Sequence, residues 1–399
     1  MKRDKIVLAY SGGLDTSVII RWLTEKYNAD IITVLVELGQ KEDIEAIETK
    51  ARKVGAKKHY TIDARKELAE QYVSSAIKAN ALYEGKYPLL SALSRPLIAS
   101  KLVDIAQKEK TSAVAHGCTG KGNDQVRLEV TIKALAPDIK IYAPVREWKL
   151  SRNAEVKYAK KHGIKIPTKI STYSIDQNLW GRAIECGPID KPENEPPPDA
   201  FEWTTSPERA PNKAEYLAIK FKKGIPTAVN GKEMEMVKLI NFINRVAGKH
   251  GIGRIDHIED RIIGIKSREV YECPAATCIL EAHKDLEKLV LTRHELAFKQ
   301  NVDTQWTWLI YSGLWADRLR EDLEAFINAT QKWVEGEVKL KMFKGSAHVV
   351  GRSSPYSLYD TSLASYGIKT TFEQTAAEGF VELWGLPTRV ANLLKTKKR

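Results

Sequence analysis

Cysteine is scarce: Cys118, Cys186, Cys273 and Cys278 are the four in 399 residues. So few in so long a chain make no disulfide framework, and none stands in a CxxC pair. Cys273 and Cys278 lie five apart without a second pair, which does not make a zinc site. His294-Glu295 opens like HExxH, but Phe298 stands where the second histidine belongs. No structural metal is expected. No apolar run approaches the ~20 residues that span a bilayer. The start MKRDKIVLAYSGG is basic and briefly apolar, yet Gly12-Gly13 and Asp15 occupy the place of a signal-peptide cleavage region. The expectation is a soluble cytoplasmic protein that engages no membrane. Internal repeats and low-complexity tracts are absent. Two nucleotide signatures are missing too. Gly117-Cys118-Thr119-Gly120-Lys121-Gly122 has the wrong spacing for GxxxxGK[ST], and Gln125 breaks GxGxxG after Gly120-Lys121-Gly122. An ordinary P-loop ATPase and a dinucleotide dehydrogenase are both excluded.

Positive charge, by contrast, is in surplus: 63 basic against 51 acidic residues give +12. A basic surface suits nucleic acid, an anionic membrane or a phosphorylated small molecule. Four of those charges belong to Lys395, Lys397, Lys398 and Arg399, a tail that reads as solvated. The length calls for two or three domains.

The first 165 residues alternate strand-like and helical stretches. Strands are expected at Lys5–Tyr10, Asp30–Val36, His59–Ile62, Ser112–Ala115 and Lys140–Ala143. Helices are expected at Thr16–Tyr27, Glu42–Val54, 65–79, 95–109 and 124–135. That alternation predicts α/β organisation, a parallel sheet covered on both faces. Ser151–His162 reads as a helix stopped by Gly163. Residues 188–211 hold seven of the sixteen prolines, an extended surface segment. Beyond it Tyr216–Lys222 and Val338–Phe343 alternate with period two, and helices are expected at 233–247, 276–298 and 303–331, so the second half reads as α+β. The aromatic stretch Phe380–Trp384 precedes Pro387 and a final short helix, either an arm onto another subunit or an internal dock.

The strongest local signal is Ala9-Tyr10-Ser11-Gly12-Gly13-Leu14-Asp15-Thr16-Ser17, between the first strand and the first helix. Open parallel sheets bind ligands at that edge. Two glycines bring amide N–H groups close to an anion, Ser11, Thr16 and Ser17 add hydroxyls, and the helix N-terminus adds partial positive charge. A pyrophosphate cradle is the expectation. The second signal, His116 to Arg127 (HGCTGKGNDQVR), follows a strand and reaches the same edge. Asn123, Asp124 and Arg127 supply an amide, an acceptor for an ammonium and a fork for a carboxylate. Those are the groups that hold an amino acid.

SGGxD[ST] after a first strand resembles the PP-loop of the N-type ATP pyrophosphatases. The resemblance implies that Ser11, Gly12, Gly13, Asp15, Thr16 and Ser17 hold pyrophosphate, with Mg²⁺. The two loops together resemble the argininosuccinate synthase family. The likeness continues through Tyr87-Pro88, Ser94-Arg95-Pro96, Tyr173–Leu179, Val246–Asp256, Lys266-Ser267-Arg268, Tyr271-Glu272 and Gly351–Pro355, covering nearly the whole chain. It implies an AMP-forming ligase that joins L-citrulline to L-aspartate with ATP. Position by position, it implies ATP contacts from Ala9, Tyr10, Ser11, Gly12, Gly13, Leu14, Asp15, Thr16, Ser17, Val36 and Gly117. Aspartate falls to Thr119, Asn123 and Asp124, and citrulline to Tyr87, Asn123, Arg127, Ser174, Glu259 and Tyr271. Asp15, Lys121 and Asp124 are the expected catalytic groups. The implied architecture is an ATP-binding domain at 1–165, a catalytic and multimerisation domain at 166–365 and an arm at 366–399, in a homotetramer that binds no nucleic acid.

Two positions depart from the family. Ala183 stands where NLWGRSIE carries serine, and Ala92 where some members have serine, although Ser91 is adjacent. The implied chemistry has two steps. The ureido oxygen of citrulline attacks the α-phosphate, and the aspartate amine then displaces AMP. Loop amides, Lys121 and Mg²⁺ would neutralise charge. The rival is another PP-loop enzyme acting on tRNA, for which +12 would be an RNA footprint. On the first reading, part of the surplus serves a cleft that receives ATP and two amino acids.

Overall fold

The run Ile6-Val7-Leu8 is apolar without alternation because its strand is covered on both sides: Ile6 and Leu8 enter one core and Val7 another. In this computed structural model, which describes residues 3–148, 152–165, 172–364 and 373–396, five strands make the first sheet. They are β1 (Lys5–Ala9), β2 (Asp30–Glu37), β3 (Lys58–Asp63), β4 (Ala113–Ala115) and β5 (Lys140–Tyr142). Their order is β3-β2-β1-β4-β5, and every pairing is parallel. The expected strands are thus all present, within one or two residues at their ends.

The helix Leu14–Tyr27 covers one face and Leu90–Lys108 the other. Helix Ile44–Val54 is capped by Asp43, whose carboxylate accepts from Ala46 N at 3.0 Å, and it stops at Gly55 with φ 118°. The helix expected from 95 begins instead at Leu90. Pro96 lies inside it, and burial of Leu90, Leu93 and Leu97 outweighs the lost backbone bond.

Two antiparallel sheets follow. The first is built from β6 (Ser174–Asn178), β7 (Gly181–Glu185), β11 (Arg254–Asp260) and β12 (Lys266–Glu272), in the order β11-β12-β7-β6. The second is built from β8 (Glu215–Lys222), β9 (Ile225–Val229), β10 (Lys232–Glu233), β13 (Gly336–Phe343) and β14 (Ser346–Ser353), ordered β10-β9-β8-β13-β14. Both long helices expected in this half are interrupted. Pro274–Val290, Arg293–Tyr311 and Arg318–Thr330 replace 276–298 and 303–331. The first break is a capping box in which Thr292 and Glu295 bond each other's backbone N–H groups. The second holds Gly313 at φ 78° and the cap Asp317. In the proline-rich segment, two short 3₁₀ turns, Gly187–Asp190 and Pro198–Ala200, interrupt the extended chain. Arg152–Lys161 forms the helix expected there, and Ser151 lies outside the described residues.

The β6–β7 turn fastens the first antiparallel sheet to the parallel one. Asn178 Nδ2 donates to Leu90 O at 3.0 Å, Leu179 N to Leu38 O at 2.8 Å, and Trp180 Nε1 to Pro88 O at 2.9 Å. Gly39, at φ 95°, admits this turn, since a Cβ there would lie 2.9 Å from Leu179 Cβ. Trp180 is 1 % exposed. One continuous core runs from Val7 through Leu93 and Trp180 to Ile279 and Leu340.

Met1–Tyr356 forms one compact unit and Ser357–Arg399 another. In the latter unit, a helix spans Ala376–Thr396 and passes through Pro387, where a break and a short final helix were expected. Lys397, Lys398 and Arg399 of the basic tail, and residues 166–171 and 365–372 at the expected domain boundaries, lie outside the described residues. Among the described residues no helix is long and apolar enough to cross a membrane.

Trp180→Ala is expected to lower unfolding free energy by about 3–5 kcal/mol, while Trp180→Phe costs about 1–3 kcal/mol by stranding Pro88 O. Urea unfolding of both variants checks this.

Candidate active site

The first loop is tight because Gly12 takes φ 75°, and a Cβ there would lie 2.8 Å from Ile47. Gly13 then caps the Leu14–Tyr27 helix in an extended conformation and without a side-chain cap bond, and the positive end of the helix dipole lies at the loop. The hydroxyls brace the loop. Ser17 Oγ donates to Gly13 O at 2.6 Å and lies 3.1 Å from Tyr10 Oη, and Ser11 Oγ lies 3.2 Å from Thr16 Oγ1. Lys50 Nζ, from the neighbouring helix, donates to Gly12 O at 2.6 Å. Asp15 is exposed in the first helical turn, and Val36 is buried near the end of β2.

The second loop meets the first at Gly117, where a Cβ would lie 3.3 Å from Thr16 Cγ2 and 3.2 Å from Ile19 Cδ1. His116 braces it, lying 2.9 Å from Glu129 Oε1 through Nε2 and accepting from Cys118 N at 3.1 Å. Thr119 and Lys121 are exposed on its outer side. The loop ends in the Asp124–Leu135 helix, so Asn123, Asp124 and Arg127 emerge together from one turn.

These three meet the polar face of the first antiparallel sheet. Asn123 Nδ2 donates to Tyr311 Oη at 2.9 Å, and Asn123 Oδ1 accepts from Ile262 N at 2.9 Å. Tyr311 Oη donates to Glu259 Oε1 at 2.8 Å, and Tyr271 Oη to Glu259 Oε2 at 2.7 Å. The Tyr87 and Tyr271 rings stack with centroids 4.6 Å apart. Arg127 Nε donates to Tyr311 O at 3.0 Å and Nη1 to Asp124 Oδ1 at 3.1 Å, while its buried Nη2 has no partner. Gly313 permits this approach, because a Cβ there would lie 2.8 Å from Arg127 Cα. Tyr87, Asn123, Asp124, Arg127, Glu259 and Tyr271 are therefore brought together. Ser174 is not bonded to them; it is exposed at the start of β6, paired with Glu185. Ala183 is 4 % exposed and sits in the strand register between Tyr271 and Asp176.

Several side chains that join this cluster had no role assigned from the sequence. Arg95 Nε donates to Asp124 Oδ2 at 2.8 Å and Nη2 to Asp176 Oδ2 at 2.6 Å. Ser91 Oγ donates to the same Asp176 oxygen at 2.7 Å. Ser94-Arg95-Pro96 had carried a resemblance but no role. Tyr311, at the end of an amphipathic helix, offered no signal at all. Arg261, Glu185 and Glu269 lie on and beside strands too polar to read as strands.

Burial opposes a charge on Asp124, but the Arg95 and Arg127 guanidiniums outweigh it and hold the carboxyl below its ordinary value. Burial pushes the Tyr271 and Tyr87 phenols up, with the Glu259 carboxylate adding to both, so both stay protonated; Tyr271 donates to Glu259, and Tyr87 Oη accepts from Ser91 N at 2.8 Å. Among the described residues no group of three or more His, Cys, Asp or Glu side chains is placed to hold a metal ion.

Two family models match the chain. The Arginosuccinate synthase N-terminal HUP domain matches residues 5–165, and the C-terminal domain of the same family matches 173–391. The fold and its paired loops thus define a HUP-domain enzyme of the ligase class that forms a C–N bond. Similar proteins named argininosuccinate synthase include one from Pyrococcus furiosus, 57 % identical over 387 residues, covering 97 % of this chain and 94 % of that one. Another, from Oceanobacillus iheyensis, is 55 % identical over 391 residues, covering 98 % and 94 %. A third, from Listeria welshimeri, is 53 % identical over 398 residues, covering 100 % and 98 %. The chain belongs to the argininosuccinate synthase family.

A carboxyl held below its unfolded value, about 3.9 for aspartate, stabilises the fold above that pH and loses the effect as pH falls through the folded value. Asp124→Asn should therefore lower Tm at neutral pH, and the gap from wild type should close below about pH 3.9. Melting curves across the acid range check the sign.

Proposed function

We propose that the protein joins L-citrulline and L-aspartate at the expense of ATP, releasing argininosuccinate, AMP and pyrophosphate, as a step of arginine biosynthesis in the cytoplasm. The observation that carries this reading is the buried Arg127 fork. One of its nitrogens is free, it lies beside Asn123 and Asp124, and it sits on a loop that touches the glycine-rich turn at Gly117.

ATP enters with Mg²⁺ as its substrate complex. Ala9–Ser17, Val36 and Gly117 receive it, with the amides of Gly12 to Asp15 facing the pyrophosphate. Tyr87, Asn123, Arg127, Ser174, Glu259 and Tyr271 receive citrulline. Arg127 Nη2 takes its carboxylate and Glu259 its ammonium. Thr119, Asn123 and Asp124 receive aspartate, with Asp124 toward the amine. The ureido oxygen of citrulline forms a bond to the α-phosphorus while the α–β phosphoanhydride breaks and pyrophosphate departs. In the citrullyl-adenylate the ureido carbon is electrophilic. The aspartate nitrogen bonds to it, loses a proton, and AMP leaves with the C–O electron pair. Loop amides and Lys121 neutralise the negative charge that develops on the phosphates, and Asp15 borders this path from the first turn of the Leu14–Tyr27 helix. Residues 1–165 would serve as the ATP domain, 166–365 as the catalytic and multimerisation domain, and 366–399 as an arm within a homotetramer.

Release of AMP and pyrophosphate, assayed with each amino acid singly and with both, tests the proposal. Sustained turnover should require both. Release indifferent to citrulline and aspartate but stimulated by tRNA would overturn it.

Ala183→Ser restores the hydroxyl at a buried position between Tyr271 and Asp176. Citrulline KM should fall about fivefold, the size of one added hydrogen bond of about 1 kcal/mol. Steady-state kinetics at saturating ATP and aspartate read this.

A further inference from the structure

We infer that Glu269 enters the fold as a neutral carboxylic acid and, through Arg261, positions the glycine-rich loop that ends at Asn123. Its importance for aspartate rests on the function proposed above; its protonation and its hold on the loop do not.

Arg261 follows β11 and turns back over the sheet. Its Nη2 donates to Glu269 Oε1 at 2.9 Å and to Glu185 Oε2 at 3.3 Å, so one nitrogen bridges two carboxyls. Its Nε donates to Ser267 Oγ at 2.9 Å, and that hydroxyl donates to the same Glu269 Oε1 at 3.1 Å. The remaining nitrogen, Nη1, donates to Lys121 O at 3.2 Å. The next residue, Ile262, donates its N–H to Asn123 Oδ1. Two successive residues thus clamp the loop from below, and the two glutamates hold the clamp.

Glu269 is unlike an ordinary ion-pair partner. It is 4 % exposed, and its Oε1 accepts from two donors while Oε2 is buried with none. The group within reach of it is the carboxyl of Glu185, which has no proton of its own to offer when ionised. A proton on Glu269, donated to Glu185, gives Oε2 a hydrogen-bonding role; two ionised carboxylates on one arginine would leave Oε2 bare beside a like charge. Glu185 is the more exposed of the two, with 40 % of its side chain open, so the proton belongs to Glu269.

The surrounding charges agree. Glu185 on β7, Glu259 on β11 and Arg261 face Glu269 directly; Asp124 and Asp176 act on Glu185, and the Cys186 thiol follows it. Burial, with the Glu185 and Glu259 carboxylates, pushes the Glu269 carboxyl up to about 9 against the lowering effect of Arg261. Its folded value lies above its unfolded one, so the folded chain keeps a proton that the unfolded chain has lost. The position weakens the fold as pH rises from the unfolded value through the folded one.

Two measurements on the full chain without substrate decide the matter. Infrared difference spectra of wild type against Glu269→Gln at pH 7 should show one protonated-carboxyl band in wild type alone, titrating away near the pKa of about 9. No such band overturns the proposal. Hydrogen exchange of amides 119–123 should quicken about tenfold in Glu269→Ala and stay near wild type in Glu269→Gln, whose amide N–H still reaches Glu185. Equal loss of protection in both variants, or in neither, overturns the positioning role. With substrate, Glu269→Ala should raise aspartate KM about tenfold, and Glu269→Gln should recover most of that. A wild type that releases no AMP with citrulline and aspartate defeats the functional reading alone, because the substrate-free measurements still decide the role of Glu269.

Discussion

Everything at the site depends on the β6–β7 turn. Asn178, Leu179 and Trp180 place three hydrogen bonds on Leu90, Leu38 and Pro88, and those acceptors lie at the ends of the elements that carry the site. Leu38 follows β2; Pro88 and Leu90 open the helix that bears Ser91 and Arg95. A buried N–H group must find an acceptor, and Asn178, Leu179 and Trp180 find theirs on Leu90, Leu38 and Pro88 when the antiparallel sheet is seated. Seating the sheet also delivers its polar face, with Tyr271, Glu259 and Asp176, to Asn123, Asp124 and Arg127. The two halves of the site are therefore assembled by a joint that contains none of the reacting groups.

What the sequence revealed follows from which signals are local. A strand buried on both faces is a continuous apolar run, so β1 and β2 were legible, as were the helices between them. Gly12-Gly13 and the Gly117–Gly122 loop were legible because glycine at a strand end has a specific conformational purpose. The sheet of β6, β7, β11 and β12 was not. Strands such as Ser174–Asn178 and Arg254–Asp260 are mostly polar because one face meets charged partners, and that pattern looks like loop until the partners are known. Helix breaks failed for a related reason. Apolar periodicity runs on through 274–330, while the stops reside in single capping residues, Thr292, Glu295 and Asp317.

The residues brought together at the site divide along the same line. Asn123, Asp124 and Arg127 announced themselves by type and spacing on one turn of one helix. Glu259 and Tyr271 are an acid and an aromatic on separate strands, ordinary until register places Tyr271 Oη on the Glu259 carboxylate. Tyr311 was invisible, since nothing in the helix it terminates distinguishes a core tyrosine from one that bridges Asn123 and Glu259. Resemblance could carry the first two across; only three-dimensional contact identifies the third.

The surplus of positive charge takes on a different meaning once the site is assembled. Its three arginines, Arg95, Arg127 and Arg261, are matched against Asp124, Asp176, Glu185, Glu259 and Glu269. Five carboxylates around three guanidiniums would leave the cleft net negative before any anionic substrate arrives. That is unfavourable where carboxylates such as Glu259 and Glu269 are buried and like charges are poorly screened. The +12 of the whole chain is a poor measure of this balance, because charges on a solvent-exposed surface are screened by water and salt. Relief has to be local. Arg95 is shared between two aspartates, the phenols of Tyr271 and Tyr311 both donate to Glu259, and one proton kept on Glu269 removes a charge outright. The cleft is tuned by donors counted one at a time, and the global charge of the protein says little about what it binds.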